Sequence, residues 1–139
     1  MTDIFALWLP ILVSTVLVFV ASSIIHMAPL WHRNELPSPP DGDRMQDALR
    51  PLVQWFICIV VVTALVAYVA GATLAADAAY LAVFRVAGTT AFIAYAAGCW
   101  PQSIWYHRPW STTLKFTLDG LIYGLLTGGA FGWLWSTAG

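Results

Sequence analysis

Four apolar stretches, each near or above the length that crosses a bilayer as a helix, dominate this chain of 139 residues. An α-helix needs about 20 apolar residues to span the hydrocarbon layer. The stretches cover residues 4–30, 52–74, 80–98 and 114–135. Only 9% of the residues are charged, whereas soluble domains carry about 25%. The sequence therefore predicts an all-α, multi-pass membrane protein that folds as one four-helix transmembrane bundle over residues 1–139.

The basic residues predict the orientation of this bundle, because Lys and Arg concentrate in the cytoplasmic loops of membrane proteins. Five of the six lie in the joint 31–51 or around the third joint, as Arg33, Arg44, Arg50, Arg108 and Lys115. The N-terminal segment, the second joint and the C-terminal segment contain no Lys or Arg. We therefore expect the joint 31–51 in the cytoplasm and both termini on the non-cytoplasmic side.

Two histidines, His26 and His32, lie where the first apolar stretch gives way to charge. On one continuous helix they would be about 240° apart, since each residue turns the helix by about 100°. Pro29 also disturbs a helix between them. The pair is therefore not predicted to chelate one ion by itself. We expect His26 inside the first span and His32 at the headgroup level beside Trp31.

A metal or haem site is an alternative interpretation of the sulfur- and nitrogen-bearing side chains. Soft and borderline metals bind His, Met and Cys, and the candidate ligands are His26, Met27, Cys58 and Cys99. Met and Cys are also ordinary core residues of helical proteins. The sequence therefore predicts no cofactor, and haem or a metal stays open as an alternative.

Ionisable side chains within the spans are His26, Arg85, Lys115 and Asp119. A charge at the centre of a membrane helix costs about 2.5–3.5 kcal/mol on insertion scales, so such groups are expected to have partners. Asp119 is expected to pair with Lys115, four residues earlier, or with His26 at a similar depth. A His26–Asp119 pair would suit either proton or cation handling, or a structural contact between helices. Arg85 is expected to reach the headgroups or to pair with Asp77.

A strict four-residue repeat of glycine marks the fourth span. Its members are Gly120, Gly124, Gly128 and Gly132. Stripes of small residues let helix backbones approach closely in lipid, where hydrophobic burial does not drive helices together. The stripe predicts tight helix packing, either inside one bundle or at an interface with another subunit.

Aromatic and basic residues at the ends of the spans are predicted to anchor the cytoplasmic face, since Trp prefers the headgroup level. These anchors are Trp31, His32, Trp100, Trp105, Arg108 and Trp110. The third joint, which contains most of them, is expected to be broken by Pro101 and Pro109.

Three stretches carry a resemblance to a known family: SSIIHMAPLWHRNELP, YLAVFRVAGTTAFIAY and PQSIWYHRPWSTTLKFTLDGLIYGLLTGGAFGWLW. Over most of its length the chain resembles a family of small four-helix inner-membrane proteins of bacteria. The residues that carry the resemblance are Pro101, Ser103, Ile104, Trp105, Arg108, Pro109, Trp110, Thr113, Leu114, Lys115, Asp119, Gly120 and the run Phe131 to Trp135. The resemblance implies four helices and the bacterial inner membrane, and it implies no particular reaction.

The leading functional hypothesis is a non-catalytic accessory or assembly subunit of a larger membrane complex, or a small homo-oligomer. No Ser-His-Asp order, HExxH motif, P-loop or dinucleotide fingerprint favours an enzyme, and a net charge of −1 argues against a nucleic-acid partner. The expected partners are lipid, other membrane subunits or further copies of the chain. Two alternatives stay open: a transporter or channel for protons or soft metal ions through His26 and Asp119, and a haem- or pigment-binding subunit.

Overall fold

The computed structural model describes residues 2–27, 32 and 44–137, and no strand occurs among them. Trp31, Arg33 and most of the joint 31–51 lie outside the described residues, so the predictions made for them stay predictions. The α-helices are α1 Trp8–Met27, α2 Arg44–Thr73, α3 Tyr80–Ala96, α4 Trp100–Tyr106 and α5 Trp110–Leu134. A short 3-10 turn, Ile4–Leu7, precedes α1. A second, Ala97–Cys99, joins α3 to α4, and a third, Trp135–Thr137, follows α5.

The four long helices pack in a ring in which α2 contacts α1 and α3, and α5 contacts the same two helices. Helices α3 and α5 run antiparallel, since Ala96 lies against Gly120 at one end and Tyr80 against Gly132 at the other. Helices α1 and α2 are also antiparallel, because Leu7 lies beside Gly71. One end of the ring, adjoining α4, is called the α4 end below. The other is called the Trp135 end.

Three of the described helical segments are long and apolar enough to cross a membrane: Ile4–Met27, Leu49–Thr73 and Tyr80–Tyr106. The chain is therefore an all-helical protein of the membrane type. Helix α5 has the length, with 25 residues, but it is not among the three. Lys115, Asp119 and the repeated glycines and threonines lower its hydropathy. Many of these polar and small residues are buried, and a face that packs on protein can be less apolar than one that meets lipid.

The glycine stripe of α5 packs against α3 within this chain. A Cβ added at Gly124 would lie 2.9 Å from the carbonyl oxygen of Gly88, and one at Gly128 would lie 2.9 Å from that of Phe84. A Cβ added at Gly120 would lie 2.9 Å from Cβ of Ala96, and one at Gly132 would lie 2.8 Å from the ring of Tyr80. Of the two packing roles that the sequence left open, the stripe therefore serves internal packing.

The Trp135 end is closed by contacts between chain segments that lie far apart in the sequence. The indole N–H of the buried Trp135 donates to the carbonyl oxygen of Ala75 at 3.0 Å. The backbone N–H of Thr2 donates to the carbonyl oxygen of Gly71, also at 3.0 Å. The apolar core beside these contacts is formed by buried side chains of α2, α3 and α5, together with Leu7 of the first 3-10 turn and Trp135 of the last.

The third joint differs from the sequence prediction, because most of it is helical. Pro101 does not break the chain direction, since it lies in the first turn of α4, where a helix needs no backbone N–H. The connection to α5 spans only residues 107–109, with His107 in the left-handed region at φ 56°. Pro109 is the N-cap residue of α5. The prediction that both prolines interrupt this segment is wrong for Pro101 and correct for Pro109.

Candidate binding cavity at the α4 end

A cavity of about 390 Å³ lies between α1, α2, α3 and α5 at the α4 end. This volume falls within the range of about 300–1,000 Å³ that small-molecule sites occupy. Its lining residues are Ser22, Ser23, His26 and Met27 from α1, Pro51, Leu52 and Trp55 from α2, Tyr95 and Cys99 from α3 and the following turn, and Phe116, Asp119 and Tyr123 from α5. Every long helix of the ring therefore contributes to this one space.

Three aromatic rings from three helices form one wall of this cavity. The ring centroid of Trp55 lies 6.1 Å from that of Tyr95 and 6.2 Å from that of Tyr123, and the two tyrosine rings are 5.4 Å apart in an edge-to-face arrangement. The indole N–H of Trp55 donates to Ser22 Oγ at 2.7 Å, which fixes the ring against α1. Offset and edge-to-face contacts of this kind stabilise aromatic clusters, so the wall is preformed.

The hydroxyl oxygens of Tyr95 and Tyr123 are buried and have no hydrogen-bond partner among the described residues. Buried tyrosine hydroxyls normally have a partner. An unsatisfied buried polar group costs about 1–3 kcal/mol, and here two such groups belong to residues that line the same cavity. This pair of hydroxyls is the chemical feature that separates the cavity from an ordinary packing defect.

Asp119 is bound to His32 in the α4 end of the bundle. Nε2 of His32 lies 2.8 Å from Oδ2 of Asp119, and the two side chains are 1% and 3% exposed. An ionised carboxylate can only accept, so the imidazole donates Nε2–H to it. The buried carboxylate of α5 therefore has a hydrogen-bond partner from the segment that follows α1.

The imidazole of His32 also lies in a stack of rings. Its centroid is 5.1 Å from the His26 ring and 4.9 Å from the Phe116 ring, and the guanidinium of Arg108 lies 4.8 Å from the centroid of Phe116. Nδ1 of His26 lies 2.8 Å from the carbonyl oxygen of Ser22. Because a carbonyl cannot donate, Nδ1 carries the proton, and Nε2 of His26 makes no hydrogen bond to the described residues.

These contacts correct one prediction about the histidines. Asp119 pairs with His32 rather than with His26. His32 is buried in the protein, and its place at the headgroup level stays a prediction. The rotation of about 240° applied to a continuous helix, whereas α1 ends at Met27 and His32 lies in a bend. The two rings lie near each other, but in a stack with 20° between their planes. Stacked rings do not direct their nitrogens at a common ion, so the pair is not a chelate.

Three of the four candidate metal ligands, His26, Met27 and Cys99, line the cavity. No group of three His, Cys, Asp or Glu side chains that could hold an ion occurs in residues 2–27, 32 and 44–137. Cys58 is exposed on α2, Met27 is 78% exposed, and Cys99 lies half-buried in the cavity wall. His26, Met27 and Cys99 therefore share the cavity with side chains that are mainly aromatic and apolar.

The remaining predicted polar and aromatic residues lie outside the cavity. Arg85 is exposed on α3, Asp77 is exposed as well, and the two make no ion pair in the described part of the chain. Lys115 is half-buried on α5. Trp105 and Trp110 are exposed, and the indole N–H of Trp100 donates to Thr117 Oγ1 at 3.1 Å. Their role as membrane anchors stays a prediction.

The aromatic wall was not predicted from the sequence, although helical spacing offered a weak signal for it. Tyr123 follows Asp119 by four residues, and Cys99 follows Tyr95 by four, so each pair shares a helix face. Comparisons with family models, with curated proteins and with solved structures find no match for this chain. Its chemistry is therefore interpreted from the cavity's own residues.

Proposed function

We propose that this chain is a non-catalytic protein of the bacterial inner membrane that holds a small bilayer-soluble ligand in the cavity at the α4 end. The observation that carries the proposal is the pair of buried, unpartnered hydroxyls of Tyr95 and Tyr123 beside an aromatic wall. Ligand sites combine mainly apolar linings with a few polar groups that fix orientation. An occupant that offers a hydrogen-bond acceptor would remove the cost of leaving these hydroxyls unsatisfied.

In this proposal α5 crosses the bilayer together with the other three long helices, and both termini are on the non-cytoplasmic side. Arg50, Arg108 and Lys115 lie at the α4 end, and basic residues favour the cytoplasmic face. The cavity would then open in the cytoplasmic half of the membrane. A reporter enzyme that works only outside the cytoplasm should therefore be active when it is fused after residue 139.

A ligand-holding protein of this size fits the role of an accessory subunit in a larger membrane complex, or of a small homo-oligomer. The chain has no catalytic constellation in its sequence, and its glycine stripe is occupied by α3. A partner would therefore contact a different surface, such as the exposed apolar face of α2 around Val53, Phe56 and Val61.

The test is native mass spectrometry of the protein extracted from its own membranes in mild detergent, with two variants that carry the same substitution. Cys99→Phe places a ring in the cavity, whereas Cys58→Phe places the same ring on the exposed face of α2. We expect a small-molecule adduct on the wild type and on Cys58→Phe, and its loss from Cys99→Phe. Adduct-free wild-type protein, or an adduct that survives Cys99→Phe, would contradict the proposal. Masses of foreign subunits or of multiple copies would identify the partner.

A second candidate, proton handling, is favoured by the buried pair of His32 and Asp119 in a stack with His26. Buried ionisable groups in membrane helices commonly mark proton pathways. In this alternative Asp119→Asn and His26→Ala would fold normally in proteoliposomes and lose proton flux, measured with an entrapped pH-sensitive dye. Unchanged flux in both variants would eliminate it.

A further inference from the structure

We infer that the occupant of the cavity is a molecule of the quinone class, a flat ring that carries oxygens and an apolar tail. The inference rests on the proposed ligand-holding function and names the chemistry of its ligand. It depends on three properties of the cavity: the shape of its wall, the hydrogen-bonding groups near it, and the surface on which it opens.

The wall favours a flat ring. Trp55, Tyr95 and Tyr123 approach one another with centroid distances of 5.4–6.2 Å and come from three different helices. Phe116 from α5 adds a fourth ring to the lining. Aromatic surfaces gain most from contact with another π-system in offset or edge-on geometry. A saturated acyl chain would forgo that gain.

The hydrogen-bonding groups favour ring oxygens. The phenolic O–H groups of Tyr95 and Tyr123 are donors that lack an acceptor among the described residues, and a quinone carbonyl that reached them would supply the missing acceptor. Nε2 of His26, in the lining from α1, offers a further polar contact. A protonated His26 would donate to a second carbonyl, and a neutral His26 would accept from a reduced ring.

The opening favours an apolar tail. Met27 at the end of α1 and Leu52 near the start of α2 line the cavity, and they are 78% and 38% exposed. Both residues lie in helical segments that are apolar enough to cross a membrane. The cavity rim is therefore continuous with the lipid-facing surface of α1 and α2, and a tail can leave the cavity directly into the bilayer.

The inference is tested by binding of a short-tailed ubiquinone to the protein in nanodiscs of phosphatidylethanolamine and phosphatidylglycerol. The quinone retained after gel filtration is quantified, and the rate of Cys99 alkylation by N-ethylmaleimide in a Cys58→Ser background reports where it binds. An alkane of the same length as the tail serves as the ring-free control probe. We expect the quinone to be retained and to slow the alkylation, and the alkane to do neither.

Substitution of single hydroxyls distinguishes a quinone site from mere partition of the probe into lipid. Tyr95→Phe and Tyr123→Phe remove a hydroxyl that makes no hydrogen bond within the described protein, so both variants should fold. We expect each to weaken quinone binding by up to about tenfold, the affinity that one net hydrogen bond supplies. Tyr68→Phe, on the exposed face of α2, should bind like the wild type.

The outcomes separate this inference from the proposed function. Equal protection by the alkane, or unchanged affinity in both Tyr→Phe variants, would overturn the quinone assignment while the cavity remained a ligand site. Failure to retain quinone in a protein that still carries another small-molecule adduct would do the same. Failure to retain quinone in a protein that carries no adduct would overturn both.

Discussion

The seam between α3 and α5 and the cavity at the α4 end use the same helices in opposite ways. Along the seam, glycines remove side chains until backbone touches backbone, as at Gly88 and Gly124. At the cavity, aromatic side chains from α2, α3 and α5 meet at their rings and leave about 390 Å³ between the helices. The seam has no room for one methyl group, whereas the cavity has room for a ligand. The bundle is therefore rigid along one pair of helices and permissive at one end.

The largest expected effect is at the cavity end, where Asp119→Ala would leave buried His32 without this acceptor. Breaking a buried pair by removing one partner costs about 3–5 kcal/mol, and the side chains are only 1% and 3% exposed. We expect the free energy of unfolding in mixed micelles to fall by this order. Asp119→Asn keeps an acceptor oxygen, so a loss as large as that of Asp119→Ala would contradict the assignment.

The next largest effect tests the seam. In Gly124→Ala the new Cβ would lie 2.9 Å from the Gly88 carbonyl oxygen and 3.2 Å from the Phe92 backbone nitrogen. Backbone atoms cannot rotate away, so the helices must separate, at a cost of about 1–3 kcal/mol for overpacking. Gly129→Ala is the matched control, since its nearest neighbour is the Tyr80 hydroxyl at 4.0 Å. Equal unfolding free energies for the two variants would show that the seam tolerates a methyl group.

A smaller effect of opposite sign is expected at the cavity. Tyr123→Phe removes a buried hydroxyl that has no described partner, so ligand-free protein should gain about 1 kcal/mol of stability. A structural hydroxyl would instead give a loss when it is removed. Thermal unfolding of delipidated protein measures the change, and Tyr68→Phe on the exposed face provides the reference.

The smallest expected effect concerns the contact between α1 and α2. Thr15 Oγ1 lies 2.9 Å from Thr63 Oγ1, and Thr63 Oγ1 also donates to the Ile59 carbonyl oxygen at 3.0 Å. Thr15→Val therefore removes one interhelical hydrogen bond without leaving Thr63 unsatisfied. Such bonds average about 0.6 kcal/mol in membrane proteins. A loss above about 2 kcal/mol in the same unfolding assay would mean that this contact organises the bundle.

The helices were predictable because their lengths follow from local apolar runs, and the glycine repeat gave the packing stripe of α5 directly. The predictions that failed had assumed the wrong helix ends. Pro101 looks like a break in the sequence but lies in a helix first turn, where proline is tolerated. His32 looked distant from Asp119 because a helix was extended past Met27, where α1 ends.

The cavity itself could not be predicted from the sequence. Aromatic residues such as Trp55 and Tyr95 are common in membrane spans, and no periodicity marks a space that several helices leave between them. A void is a difference between the volume enclosed by the backbones and the volume of the side chains. That difference exists only after the ring of helices has closed, so local patterns carry no trace of it.

The position of α5 has a consequence for biosynthesis. Of the described helices it leaves the ribosome last, and it is the long helix least suited to lipid on its own. Its glycines need α3, and its carboxylate needs the imidazole that follows α1. The segments before α5 therefore remain incompletely packed until α5 has been synthesised. A nascent chain stalled before residue 110 would leave the surface of α3 that packs against α5 uncovered, and we expect quality-control proteases to degrade it faster than a chain that includes the 25 residues of α5.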